Sequence, residues 1–167
     1  MIRPDLLVSW PKHIDYPLFR YNIQRYRHYF DRVIIAFLKG NKDRDFEPFV
    51  RENLHNVIFV NPPEKYSDWR DNAVRDMLNH SKSNAVLFFE QDFLFNESVL
   101  EKILKNNDTP NLNNYFVGYE EGGRIHPAFA LVKREFIYLT SKDFSANPPS
   151  HDHFGQFFKE LENIVKF

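Results

Sequence analysis

The sequence has no cysteine in its 167 residues. Disulfides, thiolate metal sites and cysteine nucleophiles are therefore excluded. A dominant charge of one sign is also missing: 22 basic side chains face 23 acidic ones, for a formal net charge of −1. That balance creates no global field to draw in nucleic acid or an anionic membrane, although it is compatible with a local basic patch. No apolar run approaches the roughly 20 residues that cross a bilayer. The start, Met1-Ile2-Arg3-Pro4-Asp5, lacks the apolar core of a signal peptide. A cytoplasmic protein is the expectation.

Glycine is scarce, with five residues in all. None of them builds G-x-x-x-x-G-K-[ST], G-x-G-x-x-G or G-x-S-x-G, and H-E-x-x-H is absent too. P-loop phosphoryl transfer and dinucleotide oxidoreduction lose their sequence support. A sugar nucleotidyltransferase would need a glycine-rich loop after its first strand, and Ser9-Trp10-Pro11-Lys12-His13 does not supply one.

What is present is an ordinary globular composition. Apolar residues make up 43% and charged residues 27%, which supports one domain with a usable core. Phenylalanine, at 18 residues, makes that core aromatic.

Apolar runs alternate with helical patterns along the chain. Asp5 to Trp10 reads as a strand, stopped by Pro11. A helix follows from Asp15 or Tyr16 to Phe30, with Pro17 in its tolerant first turn. Arg32 to Leu38 is a continuous apolar strand closed by Lys39-Gly40-Asn41. A short helix over Asp45 to Asn53 and a strand over Asn56 to Val60 come next. Ser67 or Asp68 caps a helix placed at Trp69 to Asn79, and Ala85 to Phe89 is the most apolar strand. Asn96 caps a helix to about Lys105.

The second part changes character. Tyr115 to Tyr119 and Phe129 to Val132 read as strands around a Glu120-Glu121-Gly122-Gly123-Arg124 turn. Arg134 to Ser141 begins a helix and breaks. His153 to Val165 is a final amphipathic helix after a loop with Pro148 and Pro149. The strand–helix alternation predicts an α/β fold, a mostly parallel sheet with helices on both faces.

In such sheets ligands bind at the carboxyl ends of the strands. Those ends here are Trp10 to His13, Lys39 to Asn41, Asn61 to Glu64, and Glu90 to Asp92. Glu90 and Asp92 are two residues apart, so in extended chain they face the same side. Two carboxylates so placed suit one Mg²⁺ or Mn²⁺. The alternative is an acidic turn capping the helix at Asn96. Asp68-Trp69-Arg70-Asp71-Asn72 opens the preceding helix, where an arginine can pair a phosphate. A surface salt-bridge face is the other reading of that segment.

The motif Trp69-Arg70-Asp71-Asn72-Ala73, a helix, and then Ala85-Val86-Leu87-Phe88-Phe89-Glu90-Gln91-Asp92 resembles the core of GT-A-type glycosyltransferases. In the large inverting family of that type, a helical Arg–Asn pair precedes an apolar strand ending in Asp-x-Asp. The resemblance covers Asp5 to Phe95 well and the rest loosely. It implies a three-layer αβα sandwich in one domain, with residues 1–95 as the nucleotide-binding half and 96–167 as the acceptor-side half. It also implies a nucleotide-sugar donor, a carbohydrate or other hydroxyl acceptor, and Mn²⁺ or Mg²⁺.

The resemblance assigns roles position by position. Asp92 matches the metal-binding last acid, and Glu90 the first acid, near the ribose or the metal. Arg70 and Asn72 match the helix pair. Ser9-Trp10-Pro11 matches the place of the nucleotide base, with Lys39 at the neighbouring strand end. Glu replaces the usual first Asp, Asp71 separates Arg70 from Asn72, and the chain is shorter than a typical member.

In the resembled enzymes a late loop supplies a third metal ligand or the catalytic base. Here that loop carries His151-Asp152-His153. Asp152 is the candidate base and His151 or His153 a candidate metal ligand; the alternative is Asp152 as the N-cap of the last helix. Glu120 or Glu121 is the other candidate base, with Arg124 and His126 beside the same turn. The alternative there is a solvated hairpin. His13, His28, His55 and His80 read as surface or capping residues. A domain that binds a nucleotide or glycan without chemistry is the competing function.

Overall fold

The computed structural model describes residues 3–10, 16–37, 57–60, 66–90, 96–106, 116–121, 124–144 and 155–165. Their elements run β1 (Asp5–Trp10), α1 (Tyr16–Tyr26) with a 3-10 turn at Arg27–Tyr29, β2 (Val33–Phe37) and β3 (Val57–Val60). Then come α2 (Tyr66–His80), β4 (Ala85–Glu90), α3 (Glu97–Asn106), β5 (Phe116–Glu121), β6 (Arg124–Lys133), α4 (Arg134–Ile137) and α5 (Gly155–Val165). The helix expected over Asp45 to Asn53 lies outside the described residues.

The six strands form one sheet in the order β3-β2-β1-β4-β6-β5. The first four run parallel and β6 runs against them, pairing with β4 and β5. Apolar alternation sends each strand's side chains to two faces. One face packs Leu6, Val8, Leu87 and Phe89 against Ile23 and Tyr26 of α1 and Leu100 and Leu104 of α3. The other packs Leu7, Ile34, Val86 and Phe88 against Ala73, Val74 and Met77 of α2 and Phe157, Phe158 and Leu161 of α5. The architecture is the expected three-layer αβα sandwich, mostly parallel.

Several boundaries differ from the sequence reading. Helix α2 begins at Tyr66, not Trp69, so Ser67 and Asp68 stand in its first turn. An acidic residue there suits the helix dipole. By contrast Asn96 is the cap expected of it. Its Oδ1 accepts from the N–H of Ser98 at 3.2 Å, the Ser98 hydroxyl at 2.7 Å and the N–H of Val99 at 3.4 Å.

The hairpin is longer than expected. Glu120, Glu121 and Arg124 belong to its strands, not to a turn. The reason is a bulge. Gly118 pairs with Ala130, yet the next pair is Tyr119 with His126. Residues 127–129 are the surplus on β6, and they include Pro127, which cannot donate to a ladder. The bulge absorbs that residue and lets pairing resume beyond it.

At the amino edge of the sheet, Asp5 is fully buried. Its Oδ2 accepts from the Ser81 hydroxyl at 2.6 Å, Lys82 N–H at 2.8 Å and Ser83 N–H at 3.0 Å. Arg134 donates to the Ser81 hydroxyl and, at 2.6 Å, to the Ser83 carbonyl. The turn between α2 and β4 is thereby tied to the first strand and to the residue that follows β6.

Candidate functional site

Strand β1 is the point where chain order reverses. From it the sheet proceeds to β2 and β3 on one side and to β4 on the other. At such a switch point the connections leave in opposite directions and open a crevice at the carboxyl edge. Ser9 and Glu90 are register partners there, and Trp10 and Glu90 end their strands. Glu90 therefore lies in the backbone position that topology marks for a ligand.

The β5–β6 hairpin overhangs the same edge. Strand β6 pairs with β4 only from Phe129 to Lys133, while Arg124, Ile125 and His126 pair with β5 alone. Those residues project past the level of Phe89 by on the order of 10 Å at the usual strand rise. Glu120, Glu121 and Arg124 are on that projection.

Arg70 and Asn72 both belong to α2. The helix follows β3, so its first turns lie toward the carboxyl edge and its last residues at the amino end of β4. Arg70 stands about 6 Å along the axis from the helix start. Asn72 is half-buried, next to the buried Ala73 and Val74 that seat the helix on the sheet.

Asp71, between them, has a different part. Its Oδ2 accepts from Arg75 Nε at 2.9 Å, one helical turn on, and its Oδ1 from the backbone N–H of Phe144 at 3.0 Å. The ion pair with Arg75 agrees with the salt-bridge reading of this segment, whereas the bond to Phe144 was not expected from sequence. The Asp71–Arg75 spacing of four residues was the available signal.

Phe144 is fully buried. Its ring lies 6.2 Å from Phe88 and 4.8 Å from Phe157, and Phe88 and Phe157 meet edge-on at 5.9 Å. Phe88 is two residues before Glu90. Residues 144 and 157 flank the stretch that carries His151-Asp152-His153, so both flanks are held on β4 near its carboxyl end. Below this, Glu160 fastens α5 to the same segment: its oxygens accept from Ser141 N–H at 2.6 Å, Ser141 Oγ at 2.8 Å and Gln156 Nε2 at 2.8 Å.

The structure describes the backbone but not the side chains of Ser9, Trp10, Arg70, Glu90, Glu120, Glu121 and Arg124. Pro11, Lys39, Asp92, His151, Asp152 and His153 lie outside the described residues. Among the described residues no group of three or more acids and histidines is placed to hold a metal ion, and no helix is long and apolar enough to cross a membrane. The acids expected at the cation come from Glu90 and the residues just beyond it. Hard carboxylate oxygens at a strand end are a donor set that suits Mn²⁺ or Mg²⁺.

No family profile and no curated protein sequence matches the chain. Solved structures do. The mannosyltransferase PcManGT from Pyrobaculum calidifontis, in complex with GDP-Man and Mn²⁺, superposes with a TM-score of 0.70 over 98% of this chain, at 14% identity. Glucosyl-3-phosphoglycerate synthase from Mycobacterium tuberculosis, in complex with UDP, gives 0.64 over 99% at 12% identity. The same enzyme with Mn²⁺, UDP-glucose and phosphoglyceric acid gives 0.62 over 98% at 12%. This chain spans 52% of the mannosyltransferase chain and 66% and 65% of the two synthase chains. The chain shares its fold with these glycosyltransferase structures, the GT-A-type fold.

Proposed function

We propose that this chain transfers a sugar from a nucleoside diphosphate donor to an acceptor hydroxyl, with inversion at the anomeric carbon and a divalent cation, Mn²⁺ or Mg²⁺. The observation that carries the reading is the position of Glu90 in the β1–β4 switch point, with Asp92 two residues beyond. The likeness to structures solved with GDP-Man and Mn²⁺, or UDP-glucose and Mn²⁺, supports it.

In this reading Asp92 and Glu90 hold the cation, with His151 or His153 completing its shell. The cation supplies neutralisation of the leaving diphosphate. Arg70 and Asn72 bind the donor from the first turns of α2, Ser9-Trp10-Pro11 receives the base, and Lys39 and Arg124 add positive charge at the crevice. Asp152, or else Glu120 or Glu121, takes the proton from the acceptor hydroxyl as its oxygen bonds the anomeric carbon and the bond to diphosphate breaks. The anchoring of residues 144 and 157 beside β4 supports Asp152 in that role. Residues 1–95 form the donor half and 96–167 the acceptor half.

The test is release of nucleoside diphosphate from UDP-, GDP- and CDP-sugars by purified protein with Mn²⁺. Turnover that Asp92→Ala abolishes supports the proposal. A wild type that neither binds nor hydrolyses any of them refutes it. A second reading is favoured by Glu90 in place of the usual aspartate: a domain that binds the nucleotide or a glycan without turnover. It predicts ligand binding that is equal in wild type and in Asp152→Ala, Glu120→Ala and Glu121→Ala, with all four inactive.

A further inference from the structure

The net charge is near zero, yet one groove collects cations. It has a volume of about 250 Å³ and is lined by Arg75 and Asn79 of α2, Arg134 of α4, and Tyr138 and Lys142 just after it. Ile137, which is buried, contributes apolar lining. The groove is remote from the β1–β4 crevice. Arg134 follows Lys133, and Lys133 pairs with Ala85, the first residue of β4. Glu90, the last, is five residues away, roughly 16 Å at the strand rise.

The charges in this groove do not cancel. Among the described residues the one carboxylate bonded to any of the three cations is Asp71, at Arg75 Nε, and its second oxygen is taken by Phe144 N–H. Arg134 donates to uncharged acceptors, the Ser83 carbonyl and the Ser81 hydroxyl. A guanidinium has five N–H donors, so these bonds leave capacity toward a ligand. Lys142 Nζ sits 4.8 Å from the Tyr138 ring centroid. Arg134 first and Lys142 last hold the Tyr138 phenol below its ordinary pKa, against the opposing effect of burial.

Lys142 is also the one non-glycine residue with positive φ, at 56°, among the described residues. Its N–H donates to Thr140 Oγ1 at 3.2 Å, and the neighbouring Ser141 is fixed by Glu160. The left-handed turn that presents this lysine is thus held by Thr140 and, through Ser141, by Glu160.

We propose that the groove binds a phosphate group, separately from any donor diphosphate at the β1–β4 crevice. The volume admits one phosphate and a small substituent, and two arginines with a lysine match its charge and fork geometry. The phosphate can come from a free ion or small phosphomonoester, or from a lipid headgroup presented to the exposed Tyr138 and Leu139.

The full chain, in phosphate-free buffer at constant ionic strength, is titrated with inorganic phosphate and followed by melting temperature and by amide chemical shifts. The expected result is a saturable response with shifts at Tyr138 and Lys142. Lys142→Glu weakens it at least tenfold, as loss of a charge-assisted contact predicts, while leaving the response to UDP with Mn²⁺ unchanged. Lys142→Arg restores it. A second arm measures co-sedimentation with phosphatidylcholine vesicles with and without phosphatidic acid. Binding there that Lys142→Glu removes, with only weak response to free phosphate, assigns the lipid source. An unsaturable phosphate response together with no vesicle binding, or responses in both arms that Lys142→Glu leaves unchanged, overturns the proposal.

Discussion

The backbone N–H of Phe144 donates to Asp71 Oδ1 at 3.0 Å. This bond joins the helix of the proposed donor-binding pair to the segment that leads to Asp152. It also explains why an acid stands between Arg70 and Asn72. The carboxylate faces Phe144 and Arg75, and α2 is held against the ring cluster of Phe88, Phe144 and Phe157.

Asp71→Ala should therefore cost stability as well as activity. A hydrogen bond to a charged acceptor contributes about 1.5–3 kcal/mol, and urea unfolding should show a loss in that range. Asp71→Asn keeps an acceptor for Phe144 N–H and should lose less. Equal unfolding midpoints for Asp71→Ala and wild type would show that the bond carries no weight.

Asp5 should be the costliest polar residue to remove. Asp5→Ala leaves the buried Ser81 hydroxyl and the part-buried N–H groups of Lys82 and Ser83 without their acceptor. Unsatisfied buried groups cost about 1–3 kcal/mol each before relaxation, so the variant should unfold at much lower urea or fail to accumulate folded. Asp5→Asn, which keeps one oxygen acceptor, should be intermediate.

The opposite face carries an alkaline-sensitive contact. The Tyr29 hydroxyl donates to Glu101 at 2.7 Å and to Glu97 at 3.4 Å. The bond to Glu101, and then burial, push the Tyr29 phenol up to about 12. Because the folded value lies above the unfolded one, this stabilisation is complete below the ordinary phenol pKa of about 10 and is lost as pH rises through about 12. Tyr29→Phe should cost about 1 kcal/mol at neutral pH, and the difference from wild type should shrink on alkaline titration.

Glu160 gives the acid counterpart. Burial raises its carboxyl, but hydrogen bonds from Ser141 N–H, Gln156 and the Ser141 hydroxyl outweigh that and hold the pKa below the ordinary value. The stabilisation is present above the unfolded carboxylate pKa of about 4.3 and is lost as pH falls through the lower folded one. The melting temperature of Glu160→Gln should lie below wild type at neutral pH and converge with it in acid.

The fold was legible because its strands are apolar on both faces. Leu6 to Val8, Val33 to Ala36 and Ala85 to Phe89 are buried at every residue, and such runs can only be central parallel strands. Asn96 was legible because a cap acts locally. What local pattern could not show was contact between distant segments. Asp71 with Phe144, Asp5 with Ser81, and Arg134 with Ser83 are 51 to 76 residues apart. The length of the hairpin was hidden by Pro127, which reads as a strand breaker until the bulge that accommodates it is seen. The groove of Arg75, Arg134 and Lys142 was invisible for the same reason, since its cations come from separate stretches of a chain with balanced charge.

The central claim is that the acids at the end of β4 hold a cation that binds a nucleoside diphosphate. The most direct measurement is thermal unfolding with UDP, GDP and CDP, with and without Mn²⁺, on wild type and Asp92→Ala. A cognate nucleotide at a hundredfold excess over its Kd should stabilise wild type by about 2.7 kcal/mol, only when Mn²⁺ is present, and should leave Asp92→Ala unmoved. Absence of any nucleotide response in wild type with Mn²⁺, or a response of equal size in Asp92→Ala, would contradict the account.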